Sequence, residues 1–199
     1  MNIYQRAKNL LLAPAKEWQS IDEEDVNSSH VLTYLLVLAL IPAVAGFIGM
    51  GFIGLNVFGI HSGSIGWGFR NAISSYLGIV GGAYISAFVI DFLADKFQAT
   101  SSFNVAFKVV AYSYTPMCVA GVLYLIPSLS FLVPLAGLYG LYILYTGMKP
   151  MLKVPEDKMM GYFIVCLLSM IVVSMVLGAI LVAIFVNSIY FVNNYYWSC

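Results

Sequence analysis

The chain has 199 residues, of which 61% are hydrophobic and 9% charged, and its formal net charge is zero. Soluble domains carry about 25% charged residues, so too few polar groups are present here to coat a water-facing surface. The charge balance also excludes a basic nucleic-acid-binding protein, and no nucleic-acid partner is expected.

The first 30 residues read as a small unit of their own. Ile3, Ala7, Leu10 and Leu11 recur at helical spacing, with Gln5, Arg6, Lys8 and Asn9 between them. Pro14 can open a second turn that carries Trp18 and Ile21. A basic, Trp-bearing amphipathic segment beside a membrane is expected to lie along its surface, with Pro14 and Trp18 as interfacial anchors. The leading "LLLA" is too short for the apolar region of a cleaved signal peptide, so the N-terminus is expected to persist in the mature protein. The acidic run "DEED" at 22–25 leads into the first long apolar stretch. Asn27-Ser28-Ser29 fits a glycosylation sequon, a pattern short enough to arise by chance.

Beyond it, apolar stretches long enough to cross a bilayer run over about 31–55, 71–94, 105–126, 128–147 and 161–186. The expected fold is an all-α integral membrane protein: five transmembrane helices in a bundle over residues 31–199, preceded by a cytosolic amphipathic interfacial helix in residues 1–30. The connections leave no room for a soluble catalytic domain. "IPSLS" reads as a tight turn between the third and fourth spans. "FVNNYYW" at 191–197 reads as an aromatic belt at the head groups. Arg6, Lys8, Lys16, Lys96, Lys108, Lys149, Lys153 and Lys158 fall on one side of such a bundle and only Arg70 on the other. That bias predicts a cytoplasmic N-terminus and an external C-terminus.

Within the spans, Ser74, Gly78, Gly82 and Ser86 put four small residues on one helix face. Such a row favours close helix packing, and a substrate-facing groove is the alternative. Asp91 and Asp95 stand one turn apart near one end of the second span, with Lys108 near the matching end of the third. A structural ion pair at the interface and a proton or cation relay are both open readings. The third span carries "AYSYTP" at 111–116. Pro116 lacks an N–H and frees the carbonyl one turn back, near Tyr112. Ser113 and Thr115 are placed to satisfy that carbonyl, and Tyr112 and Tyr114 to pack on neighbouring helices. The result is a self-repaired kink, whether hinge or fixed shape.

Cys118, Cys166 and Cys199 show no metal or disulfide spacing, and His30 and His61 are isolated, so no metal site and no cofactor are expected. No nucleophile–base pair or phosphate-binding glycine loop is visible, and an enzyme is not expected.

"AYSYTPMCVAGVLYLIP" followed by "GLYGLYILYTGM", the opening "RAKNLLLAPAKEW", "FLADKFQATSSFNVAFKVVAYS" and Tyr162 at the head of the last span occur in an order that resembles the Yip-domain (Ypt/Rab-interacting protein) family, in its short bacterial form. The resemblance covers nearly the whole chain. It implies five spans with a cytosolic N-terminus and, in eukaryotic relatives, a non-enzymatic role in membrane traffic through small GTPases and partner membrane proteins. The chain lacks the long N-terminal region and the Asp-Leu-Tyr-Gly-Pro segment of those relatives, which argues against GTPase binding. The expected function is a scaffold or adaptor that binds other membrane proteins, itself among them, or shapes the lipid bilayer, in the bacterial inner membrane. The alternative is a small transporter or channel with a proton or cation path near Asp91, Asp95 and Lys108.

Overall fold

A bilayer core offers no water to backbone amides, so a chain this apolar must close its hydrogen bonds inside helices. The computed structural model describes residues 2–24, 28–57 and 60–196, without side chains at 55–57, 60–62, 182 and 184–196. Asp25, Asn27, Trp197 and Cys199 lie outside the described residues, as do the side chains of His61 and of the aromatic stretch from Phe191. The helices are α1 (Ile3–Leu12), α2 (Pro14–Glu23), α3 (Ser28–Ile48), α4 (Ile65–Ala94), α5 (Phe103–Ser113), α6 (Thr115–Ala120), α7 (Val133–Leu152) and α8 (Glu156–Tyr196). Leu55–Val57 and Ile60–Ser62 pair as a short antiparallel hairpin, Asn56 opposite His61, between α3 and α4.

Five stretches are long and apolar enough to cross a bilayer: Ser28–Ile53, Ile65–Phe97, Phe103–Leu125, Pro127–Leu152 and Glu156–Leu181. The fold is an all-α integral membrane bundle. Two spans begin earlier than the hydropathy alone implies, for reasons of capping. Ser64 accepts a hydrogen bond from the Trp67 N–H at 3.2 Å and starts α4 ahead of its apolar stretch. Glu156 and Asp157 occupy the first turn of α8, where acidic groups favour the helix dipole. The third span ends in a 3₁₀ stretch at Gly121–Leu125, and a second one at Pro127–Leu132 turns the chain into α7.

The α5 helix lies at the centre, packed on α3, α4 and α7. Ala106, Phe107, Val109, Val110, Ala111 and Tyr112 are all buried. The α3 helix packs along α4, and α8 has α4 as its main partner. The amphipathic pattern of the first residues is expressed as two helices, α1 and α2, joined at Ala13. Asn2 caps α1 by accepting from the Tyr4 N–H at 3.1 Å, and Pro14 sits at the start of α2, where its missing N–H costs nothing. Their apolar faces are covered by protein: α2 packs on α7 and α1 reaches α6. Leu10, Pro14, Trp18 and Ile21 are buried, so Pro14 and Trp18 anchor the pair to the bundle instead of lying in lipid head groups.

Candidate functional site at the proline break

Pro116 cannot donate to the carbonyl one turn back, and the structure shows how that carbonyl is satisfied. The Thr115 hydroxyl donates to the Tyr112 carbonyl at 2.6 Å. Tyr34 Oη lies 2.7 Å from Thr115 Oγ1. The threonine proton is committed to the carbonyl, so the tyrosine is the donor, and a chain runs from α3 through Thr115 to the α5 backbone. Ser113 does not share this task; its hydroxyl donates to the Val109 carbonyl at 2.6 Å. Helix α5 closes at Ser113 and α6 begins at Thr115, with Tyr114 between them. Tyr34, Tyr112, Ser113 and Thr115 are all buried, so each unmade bond here would leave a polar group stranded in a dry interior.

Tyr112 is also where the N-terminal helices meet the bundle. Its ring takes Tyr34 edge-on at 5.0 Å and Trp18 edge-on at 6.0 Å, and the Arg6 guanidinium carbon lies 5.9 Å from its centroid. Trp18 then passes to α7, where its indole N–H donates to the Ile143 carbonyl at 2.9 Å. Gly147 makes this possible: a Cβ there would fall 2.6 Å from Trp18 Cζ2, inside contact distance. Gly140, two turns earlier on α7, similarly admits the Ser113 carbonyl, which would stand 2.6 Å from a Cβ. One face of α7 thus carries a glycine notch for the indole and another for α5.

A buried charge cluster holds α1 against α2. Arg6 is 4% exposed and pairs with Glu17 at 2.6 Å and with Glu24. Asn9 donates to the second Glu17 oxygen at 2.9 Å. The Tyr139 hydroxyl donates to the Leu11 carbonyl at 2.8 Å, one of the carbonyls left open at the end of α1. In the sequence Arg6 belongs to the polar face of an amphipathic segment, and nothing marks Glu17, Tyr34 or Gly147. Their partners are tertiary, and helical periodicity carries no signal for them.

The remaining predicted residues lie elsewhere. The row of small residues on α4 faces α8: a Cβ on Gly78 would meet Leu181 Cδ1 at 3.8 Å, and one on Gly82 would meet Leu177 Cδ1 at 3.9 Å. Ser74, Gly78 and Gly82 also line a cleft there, so close packing and an open groove coexist along one face. Ser86, the last of the row, is buried. Asp91, Asp95 and Lys108 are not joined. The ion pairs among the described residues are Arg6–Glu17, Arg6–Glu24 and Lys149–Glu156, and an Asp–Lys pair, one of the two open readings, is not among them. Asp95 is exposed and the other two half-buried, which long or terminal side chains near a span end achieve by reaching for the interface.

Five apolar spans, the proline-broken third one at their centre, with an amphipathic helix pair docked over one end, define a polytopic membrane protein. The model of the Yip1 domain matches residues 8–178. The chain belongs to the Yip1 family. It is similar to inner membrane protein YohC of Escherichia coli strain K12, with 28% identity over 156 residues that cover 75% of this chain and 80% of that protein. The protein of the same name from Escherichia coli O6:H1 gives the same values. No solved structure matches the chain.

Proposed function

We propose that this protein is a non-enzymatic scaffold or adaptor of the inner membrane that binds other membrane proteins, a second copy of itself among them, or shapes the bilayer around it. The observation that carries this reading is the exposure of α8. Its described buried side chains are confined to its base, at Met159, Tyr162 and Cys166. Beyond them Leu168, Ile171, Val172, Met175, Val176 and Ile180 all face outward. Exposed Met160 and Met175 add flexible, polarizable side chains of the kind that fit varied partners. The match to an inner membrane protein supports the location. Photo-crosslinkers at Leu168, Val172 and Met175 in native membranes should capture discrete protein bands, and crosslinkers at Ala87 on the α4 core face should not. Lipid adducts alone from all three α8 positions would refute protein binding.

We also propose a cytoplasmic N-terminus, from the eight-to-one distribution of Lys and Arg. Cysteines at positions 16 and 153 should resist an impermeant thiol reagent in intact cells, while one at 62 reacts. The reverse pattern would invert the topology.

A further inference from the structure

The N-terminal pair docks over one end of the bundle, and its contacts show how deep it reaches. Asn9 and Glu17, equally far along the chain from Ala13, are joined at 2.9 Å, and Arg6 bridges Glu17 and Glu24. These cross-links make α1 and α2 an antiparallel helical hairpin with Ala13–Pro14 at its tip. Lys149, an exposed cation near the end of α7, marks the water side. The Trp18 indole donates to the Ile143 carbonyl, about 9 Å below Lys149 at the helical rise. The Leu11 carbonyl, beside the tip, accepts from Tyr139, whose backbone stands about 15 Å below Lys149. A helical side chain leans toward the N-terminus of its helix, so the Tyr139 ring points away from the water side. The hydrocarbon core of a bilayer is about 30 Å thick, and the tip therefore lies well inside it. Independently, α1 reaches α6, beyond the proline break in the third span.

The sequence of the tip fits that depth. Residues 10–15 read "LLLAPA" and carry no polar side chain, while Lys8 and Lys16 stand higher on the two arms, where their long stems can climb toward the head groups. Leu12 is 73% exposed, and at this level an outward side chain meets acyl chains, as does the exposed Leu138 next to Tyr139. Both arms return to the side they came from. One half of the bilayer thus holds the hairpin in addition to the five spans, and the other half, among the described residues, holds the spans and their short connections. The added width is fixed in place, because Trp18 fills the Gly147 notch and Arg6 is buried against its two carboxylates. A body wider in one leaflet fits best where that leaflet is stretched, the reason that half-inserted amphipathic helices respond to curvature.

We propose that the N-terminal hairpin is a one-sided membrane wedge, so that the protein favours a bilayer that bulges toward its N-terminal side. This specifies the bilayer-shaping part of the proposed function and rests on it; protein binding through α8 is separate and is read by crosslinking. The test uses the full chain with Cys199→Ser and one added cysteine, since Cys118 and Cys166 are buried. A nitroxide on Leu12→Cys should collide with oxygen in preference to a water-soluble nickel chelate, as should one on Leu138→Cys, whereas one on Asp22→Cys should favour nickel. With Lys153→Cys, an impermeant maleimide applied before and after detergent scores the orientation of the protein in phosphatidylcholine vesicles. The ratio of N-terminal side outward to inward should be about threefold higher in small sonicated vesicles than in large ones, an energy difference close to RT. Gly147→Leu, which expels Trp18 from its notch, should make the two vesicle sizes alike. If it does not fold, Leu12→Glu serves, because its charge sits on the exposed side of the tip and opposes insertion. Nickel access at position 12 equal to that at 22 would put the hairpin on the surface and overturn the proposal, while leaving protein binding by α8 intact. A shielded tip with one ratio in both vesicle sizes, or a size dependence that survives in the folded variant, would overturn the wedge and with it the bilayer-shaping part of the function.

Discussion

The third span and α8 are both helices that cross the bilayer, yet they occupy opposite extremes of the bundle. The third span is the least apolar of the five, and 61% of its most apolar window is buried in protein; α8 is the most apolar, and only 6% of its window is buried. In water the ranking would be reversed. In lipid an apolar side chain gains little by leaving the acyl chains for protein, so hydropathy does not draw a helix inward. Polar groups do, because a hydroxyl or a freed carbonyl has no partner in hydrocarbon. The third span carries Tyr112, Ser113, Thr115 and Pro116 and takes the centre; α8 has little that lipid cannot solvate and stays outside.

This contrast is broken most severely at the docked N-terminal pair. Trp18→Ala should cost about 3–5 kcal/mol, the range for emptying a large buried aromatic site. The same truncation at Met175 on α8 should stay within about 0.5 kcal/mol. Gly147→Leu should be as damaging as losing the indole, since the new side chain occupies its notch. Thermal unfolding in one detergent would rank all three, and a Met175→Ala loss equal to that of Trp18→Ala would abolish the contrast.

Next in size is the charge cluster. Glu17→Gln leaves the buried Arg6 with Glu24 and an amide, and should cost about 3 kcal/mol, near the low end for breaking a buried pair. Glu24→Gln should cost less, because that carboxylate is 43% exposed and water can compensate. Equal losses would show that Arg6 is solvated.

The proline break gives a smaller effect. Thr115→Val strands both the Tyr112 carbonyl and the Tyr34 hydroxyl and should cost about 1–3 kcal/mol. Adding Tyr34→Phe should cost less than in the wild type, because the hydroxyl has already lost its partner. Pro116→Ala, which restores an N–H, should change stability little. Additive losses for Thr115→Val and Tyr34→Phe would sever the link between α3 and the kink.

The smallest effect concerns charges that do not meet. Lys108→Leu and Asp91→Asn should each be mild, and the double variant should show their sum, since no ion pair joins them. A double variant more stable than Lys108→Leu alone would reveal a contact that the structure lacks.

The sequence made the outer parts of this molecule legible and hid the inner ones. Lipid demands about 20 apolar residues in a row, so spans are visible in one dimension. The Pro116 kink and the Thr115 rescue were visible too, because both operate within one turn. Trp18 was singled out from its amphipathic helix, but periodicity cannot say whether an apolar face meets lipid or protein. The glycine notch that decides it lies on α7, at Gly147, far along the chain. Arg6 reads as part of a polar helix face for the same reason and Glu17 carries no signal at all, while matching span ends leave an Asp91–Lys108 pair open because they do not say how α4 and α5 are rotated.

The central claim, that the N-terminal pair belongs to the protein interior while α8 lies on the outer face of the bundle, open to lipid in the protein without partners, is tested most directly by fluorescence quenching in vesicles of brominated phosphatidylcholine. With Trp67 and Trp197 replaced by phenylalanine, Trp18 should escape quenching by the brominated lipid and by aqueous iodide alike. In a second protein with Trp18 also replaced, Leu168→Trp on α8 should be quenched strongly by the lipid. Strong lipid quenching of Trp18, equal to that at position 168, would place the N-terminal helices in the bilayer interface and contradict the account.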